Sequence, residues 1–288
     1  MIDLHMHSMF SDGSDTPEAL VAIGAEAGLR AMSLTDHDNV RGAESFLQAC
    51  RRRRMTGLTG VEISAEVPSG TLHILGYGID PTHADLLKNL SRVLDGREWR
   101  NEQILKKLND LGLILTWAEV AALAGDDVVG RPHFARAMQS RGYVANTQEA
   151  FDKYLAKGAP AYVDRFRLFP ADGIRLIRAA GGLPVIAHPF TWIADPDAIE
   201  PALAELVAQG LGGIEAYYPE HGNELTIAYL RLARKLRVVV TGGTDYHGAA
   251  KPDVAVGRAG GQFAVPDDLL PPLLAALQGR AGVAEYRK

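Results

Sequence analysis

Cysteine is nearly absent from this chain: Cys50 stands alone among 288 residues. A single thiol excludes a disulfide framework and fits a reducing compartment. Long apolar runs are missing too, with none reaching the roughly 18 residues that a membrane span requires. No basic start followed by an apolar stretch marks a leader. These absences lead to the expectation of a cytoplasmic protein with no membrane association and no obligate protein partner evident. Positive charge is not in excess, because 30 Lys and Arg face 35 Asp and Glu for a net charge of −5. No global basic field is therefore available to capture nucleic acid. A glycine-rich turn after the first strand, expected of an open nucleotide-binding sheet, is also lacking. There is no internal repeat and no low-complexity segment.

What is present is a rhythm of short apolar runs and helical patterns, and 47% hydrophobic residues are enough to bury a large core. An opening strand is read at Ile2–His7, then a helix at Pro17–Gly28 with Thr16 as its N-cap. Strands follow at Ala31–Thr35, Thr56–Val61 and Thr71–Tyr77, with a helix at Gly42–Arg54 that ends in four arginines. The arginines read as a solvated helix end. From Asp85 to Asp164 the pattern turns mostly helical, with Leu86–Leu111, Trp117–Ala124, Pro132–Arg141 and Thr147–Ala156. Alternation resumes with a helix at Ala171–Ala180, a strand at Leu183–Ala187, a helix at Glu200–Gly210 and a strand at Gly212–Tyr217. A helix at Glu224–Lys235, a strand at Val238–Thr241, a short strand at Gln262–Val265 and a last helix complete the chain. Such alternation predicts an α/β fold with a largely parallel sheet, and about seven strand–helix units suit a barrel better than an open sheet. The expected division is a barrel over 1–84 and 165–288 with a helical insertion over 85–164.

The chemistry-bearing residues collect where strands stop. His5 and His7 alternate on the opening strand, so its two-residue period puts both imidazoles on one face. Asp36 and His37 close the second strand, Glu62 the third, and His73 lies within the fourth. His188 and Glu215 end the next two, and Asp245 with His247 closes the last of the series. In a parallel barrel these strand ends converge on one rim. So many imidazoles and carboxylates at successive strand ends point to a site for several divalent metals.

The set Asp-Leu-His5-Met-His7-Ser, Ser-Asp12-Gly, Thr-Asp36-His37-Asp38, Gly-Val-Glu62, His73-Ile-Leu-Gly-Tyr, Ala-His188-Pro and Gly-Thr-Asp245-Tyr-His247 resembles the PHP (polymerase and histidinol phosphatase) metallophosphoesterases, relatives of the amidohydrolases. The resemblance implies a distorted (β/α)7 barrel with a trinuclear metal site. Its ligands carry over as His5, His7, Asp12, His37, Glu62, His73, His188, Asp245 and His247. Their implied sharing is His5, His7, Glu62 and Asp245 around one ion, Glu62, His73 and His188 around a second, and Asp12, His37 and His247 around a third. Glu62 suits a bridge because a carboxylate offers two oxygens. Up to three divalent ions are expected, Mn²⁺ foremost, with Zn²⁺ or Fe²⁺ also suited to His and carboxylate donors.

Within the family the insertion and the Gly-Arg131-Pro-His133-Phe-Ala-Arg stretch look most like the 3′,5′-nucleoside bisphosphate phosphatases and their 5′–3′ exonuclease relatives. The expected reaction is hydrolysis of a nucleotide 3′-phosphate by a metal-bridging hydroxide, with Asp245, His37 and His247 as groups that could move protons. Arg131 and His133, at a loop entering a helix, form a candidate anion site. Ser8 and His221 are further candidates for substrate contact, and Glu215 for orienting a ligand histidine. Tyr154, Phe166 or Tyr218 could stack on a base, although core packing is the better reading of each. A small nucleotide is the leading substrate and a short oligonucleotide the alternative. A third enzyme reading is histidinol phosphatase, and from another class comes a non-catalytic metal-binding or polymerase-associated module.

Overall fold

The computed structural model describes residues 1–124, 129–260, 263–277 and 282–284. It divides into two compact units, one of Met1–Leu90 with Leu168–Lys288 and one of Ser91–Arg167.

The first unit is built on seven strands in sequential order: β1 (Ile2–Asp3), β2 (Ala31–Leu34), β3 (Thr56–Ala65), β4 (Leu72–Tyr77), β5 (Leu183–Ile186), β6 (Gly213–Tyr217) and β7 (Val239–Gly242). Pairing is parallel except at β4, which runs antiparallel to both β3 and β5. The short link between β3 and β4 explains the exception, since parallel pairing needs a crossover of a dozen or more residues. The sheet closes on itself where Leu4 N donates to Gly242 O at 3.2 Å and His7 N to Tyr246 O at 2.9 Å. This is the distorted (β/α)7 barrel, with one reversed strand as the distortion. The regular part of the opening strand is shorter than expected, yet Met6 still bridges to Tyr246 and His5–His7 keep an extended, paired course.

Reversal of β4 has a direct consequence for the rim. In the parallel strands the rim lies at the C-terminal end, but in β4 it lies at the start, where His73 is the second residue. Glu62 differs from expectation as well: β3 does not stop before it but carries it as a central residue between buried Val61 and Ile63. The hairpin with β4 prolongs β3 beyond that point.

Helices cover the barrel. α1 (Pro17–Glu26) starts at Thr16, whose hydroxyl accepts from Ala19 N at 3.2 Å, with Pro17 as the first helical residue. α2 (Ala43–Arg53) presents Phe46 and Leu47 to Leu20, Val21 and Met32, while Arg51–Arg54 are exposed as expected. In the second unit lies most of α3 (Ala84–Asp110), followed by α4 (Trp117–Ala124), α5 (Arg131–Ser140) and α6 (Thr147–Ala150). The helix expected to run on to Ala156 passes into a wider π-type turn at Phe151–Leu155. Ile104, Leu108, Val120, Phe134 and Met138 form this unit's own core.

The barrel resumes with α7 (Pro170–Ala179), α8 (Pro196–Ala208), α9 (Gly222–Leu236), the hairpin β8 (Val254–Ala255) and β9 (Arg258–Ala259), α10 (Leu270–Ala276) and β10 (Val283–Ala284). α8 begins at Pro196, earlier than the expected Glu200, because Asp195 accepts from Asp197 N and Pro196 suits the first turn. Of the expected strand at Gln262–Val265, Gln262 lies outside the described residues, and Phe263 and Val265 form isolated bridges to Ala259 and Ile2. Leu273 and Leu277 pack with Ile2, Leu58 and Leu75. Among the described residues no helix is long and apolar enough to cross a membrane.

Candidate metal centre

Glu62 is the hub of the rim. Its Oε2 faces His5 Nε2 at 3.2 Å, His7 Nε2 at 3.1 Å and His37 Nδ1 at 3.2 Å. Its Oε1 faces His73 Nδ1 at 2.8 Å and His188 Nε2 at 3.1 Å. Two further carboxylates extend the cluster. Asp245 Oδ1 lies 3.1 Å from His7 Nε2 and 3.4 Å from His5 Nε2, while Asp12 Oδ1 lies 3.3 Å from His247 Nε2. All nine expected residues therefore meet at one place.

Three groups of donor atoms are close enough to share an ion: His5, His7, Glu62 and Asp245; His7, Asp12, His37 and His247; and His37, Glu62 and His73. The first is the set expected. The second adds His7 to its expected members. In the third, His37 joins Glu62 and His73 where His188 was expected, although His188 still touches Glu62. The donor chemistry fits divalent cations. His7 Nε2 and His37 Nδ1 are buried and point toward carboxylate oxygens without making a hydrogen bond, which is the arrangement of lone pairs converging on a positive charge.

Electrostatics within the protein point the same way. Burial alone would raise the Glu62 carboxyl, but His37, His5 and His73 hold it well below the usual carboxylate range. Burial would likewise lower the His5 imidazole, yet Glu215, Glu62 and Asp245 hold it well above its ordinary value. A buried negative hub that draws a proton onto His5 is one from which a cation displaces it, whereas burial lowers the His37 imidazole to about 3 and keeps it neutral.

The chain fixes this cluster with a ring of buried acceptors. Glu215 Oε1 accepts from His5 Nδ1 at 2.9 Å, and its Oε2 accepts from the His188 backbone N–H at 2.7 Å. Asp36 accepts from Ser8 N, Ser8 Oγ and Ser11 Oγ at 2.7, 2.8 and 2.7 Å, which sets the loop carrying Asp12. Asp38 accepts from Ser64 N and Oγ at 3.0 Å each. Asp3 accepts from Thr244 N and Oγ1 and from Gly257 N, tying the first strand to the loop that carries Asp245; burial raises its carboxyl to about 6. Two of the clustered residues, His188 and Asp245, adopt left-handed backbone with φ of 24° and 53°. Such conformations in residues with a side chain are stored strain that surrounding structure must hold. At Gly243 a Cβ would come within 2.4 Å of His5 N, so close approach of two backbones requires glycine there.

The expected substrate-contact residues fare unevenly. Ser8 is fully buried with its hydroxyl donated to Asp36 at 2.8 Å. His221 is also buried, donating Nδ1–H to Ala216 O at 2.8 Å and packing on Phe190, Tyr218 and Tyr229. Tyr218 is not free to stack on a base, since it is buried and its hydroxyl donates to Asp245 Oδ2 at 3.0 Å. In the helical unit, His133 Nδ1 accepts from Gly130 N at 2.9 Å and so caps α5. Arg131, the first residue of α5, donates to Leu155 O at 3.3 Å and lies 5.6 Å from the Tyr162 ring centre. Its charge belongs to a basic group: burial first, then Arg97, Arg131 and Arg167, lowers the Arg100 guanidinium to about 9. Lys251, which carries no motif in the sequence, sets its ammonium 2.6 Å from Asp245 Oδ2. Its distance from Asp245 along the chain follows no familiar motif, so only the fold reveals it.

Comparison with known proteins agrees with this geometry. The family model described as "PHP domain" matches residues 3–157. The chain is 31% identical over 276 residues to a 3′,5′-nucleoside bisphosphate phosphatase of Chromobacterium violaceum, covering 94% of this chain and 93% of that protein. It is 31% identical over 245 residues to a 5′-3′ exoribonuclease of Haemophilus influenzae, covering 85% and 89% respectively. A solved amidohydrolase structure from Chromobacterium violaceum superposes with a TM-score of 0.81 at 29% identity, covering 100% of this chain and 98% of the other. By sequence and by the residues gathered on its barrel rim, this chain belongs to the PHP domain family.

Proposed function

We propose that the protein is a metal-dependent phosphatase that removes the 3′-phosphate from nucleoside 3′,5′-bisphosphates, such as adenosine 3′,5′-bisphosphate. The observation that carries this reading is the convergence of five imidazoles on the two oxygens of Glu62, with Asp12 and Asp245 beside them. We assign His5, His7, Asp12, His37, Glu62, His73, His188, Asp245 and His247 as ligands of up to three ions, with Mn²⁺ best suited to mixed imidazole and carboxylate donors. Divalent ions bound there supply Lewis acidity, neutralising phosphoryl oxygens and acidifying water.

The protein's own part is orientation and proton handling. His5, Glu62 and Glu215 are fully buried and form the floor. The Asp12, His37 and His73 side chains retain 28%, 14% and 19% of their surface. A phosphate ester therefore approaches from their side. Of the three residues assigned to proton transfer, His37 has the most access, with Nε2 3.5 Å from Asp12 Oδ2. His247 donates Nδ1–H to Asp245 O at 2.7 Å, which leaves Nε2 toward Asp12. Asp245 has one oxygen held by Tyr218 and Lys251. We assign Arg131 and His133, at the start of α5, to an anionic group of the nucleotide, Arg131 by its charge and the pair by its place at a helix N-terminus.

The runner-up is 5′–3′ exonuclease action on short oligonucleotides, for which the Haemophilus influenzae relative, named a 5′-3′ exoribonuclease, is the precedent. A net charge of −5 favours the smaller substrate. The lone buried Cys50 suits a cytoplasmic location. The two substrates separate on their products. With Mn²⁺ supplied, adenosine 3′,5′-bisphosphate should release inorganic phosphate faster than a 5′-phosphorylated oligonucleotide releases mononucleotides; the reverse order would favour the exonuclease.

A further inference from the structure

Asp245 is divided between two environments. Its Oδ1 faces the imidazoles, 3.1 Å from His7 Nε2 and 3.4 Å from His5 Nε2. Its Oδ2 faces away and takes two donors, the Tyr218 hydroxyl at 3.0 Å and the Lys251 ammonium at 2.6 Å. A carboxylate oxygen has two lone-pair sites, so both of those on Oδ2 are used. Both donors are themselves held. Tyr218 is buried at the end of β6 with its ring 5.3 Å from that of His188. Lys251 follows a short helical turn, Gly248–Ala250, which is tied to the first loop where Ala249 N donates to Ser14 Oγ at 2.9 Å. The Lys251 side chain is 38% exposed and sits on the solvent side of Asp245.

We propose that Tyr218 and Lys251 are positioning residues that hold Asp245 as a one-oxygen metal ligand, with Oδ1 presented to the ion and Oδ2 withheld from it. The proposal rests on reading Asp245 as a ligand. It gives the carboxylate a fixed direction despite the strained backbone at φ 53°. Without the two donors Asp245 is free to turn and chelate through both oxygens, or to leave the ion.

The test is direct titration of Mn²⁺ alone into chelator-stripped protein, comparing wild type with Tyr218→Phe, Lys251→Met and Lys251→Arg. Tyr218→Phe removes a donor without changing charge and keeps the ring that packs on His188. Thermal melts of the stripped proteins check that each variant is folded. Expected is a loss on the order of 10–100-fold in affinity for one class of Mn²⁺ in Tyr218→Phe and Lys251→Met, with the remaining class unmoved. Activity should return as Mn²⁺ is raised, and Lys251→Arg should recover part of the affinity. Wild-type affinity in both deletion variants would overturn the proposal. So would tighter Mn²⁺ binding in Lys251→Met, which would make the lysine only a repelling charge. Wild-type affinity with activity lost at every Mn²⁺ concentration would place Lys251 on the substrate and also overturn it. Absence of Mn²⁺ binding by the wild type would instead remove the underlying assignment of ligands.

Discussion

Glu215 accepts the Nδ1 proton of His5 at 2.9 Å, with both side chains fully buried. That bond keeps the proton on Nδ1, so Nε2, which faces Glu62 and Asp245, is the nitrogen that would exchange its proton for a cation. The same carboxylate reaches across to the His188 backbone N–H, so one side chain sets the direction of two clustered histidines.

Replacing Glu215 by Gln turns one of these acceptors into a donor and leaves either His5 or His188 without its partner. The expected outcome is a folded protein whose affinity for Mn²⁺ falls on the order of 10–100-fold. Titration of Mn²⁺ into stripped protein measures it; unchanged affinity would show that His5 needs no orienting partner.

Gly243→Ala tests the close approach of the two chain ends of the barrel. Its Cβ would sit 2.4 Å from His5 N and 2.8 Å from His5 Cα, both backbone atoms that cannot swing aside. The expected cost is about 1–3 kcal/mol of stability, as for overpacking elsewhere, with weakened metal binding because His5 is what moves. Chemical denaturation of the stripped variant checks the first part and Mn²⁺ titration the second.

Cys50 offers a test of burial by pH. Desolvation pushes its thiol up to about 12. The neutral form therefore persists through neutral and mildly alkaline pH, and the native thiol should react negligibly with a thiol reagent at pH 8 while denatured protein reacts fully. Because the folded value lies above the unfolded one, stability from this group is complete below pH 9 and declines as pH rises toward 12. Fast labelling of the native protein would contradict the packing of α2 on the sheet.

Arg131→Ala should act on binding more than on turnover. A lost hydrogen bond between charged partners is about 1.5–3 kcal/mol, which corresponds to a rise in KM of roughly 10–100-fold with kcat nearly unchanged. Steady-state kinetics on a bisphosphate and on its analogue lacking the 5′-phosphate should show the loss only with the former. Equal losses on both would remove Arg131 from 5′-phosphate recognition.

Much of this architecture is legible in the sequence because the signals are local. His5 and His7 share a face by strand period, and the apolar runs that stop at His37, His188 and Asp245 locate one rim. What escaped is set by pairing over distance. Glu62 reads as a strand end because Thr56–Val61 is the obvious apolar run, but the hairpin with β4 carries β3 through it. The reversal of β4 explains why His73 lies near the start of its strand and still reaches the rim. Tyr218 and Lys251 meet on Asp245 from different loops, and no periodicity links them. Ser8 reads from the sequence as a candidate for substrate contact, yet its hydroxyl is spent on Asp36, a partner 28 residues away that no local pattern reveals.

The most direct measurement is phosphate release from adenosine 3′,5′-bisphosphate by the purified protein before chelation, after exhaustive chelation, and after return of Mn²⁺. If the cluster around Glu62 is a hydrolytic metal centre, phosphate and the nucleoside 5′-monophosphate form in equal amounts, stop on chelation and resume with Mn²⁺. Full activity in the chelated protein, or none in the reconstituted one, would contradict it.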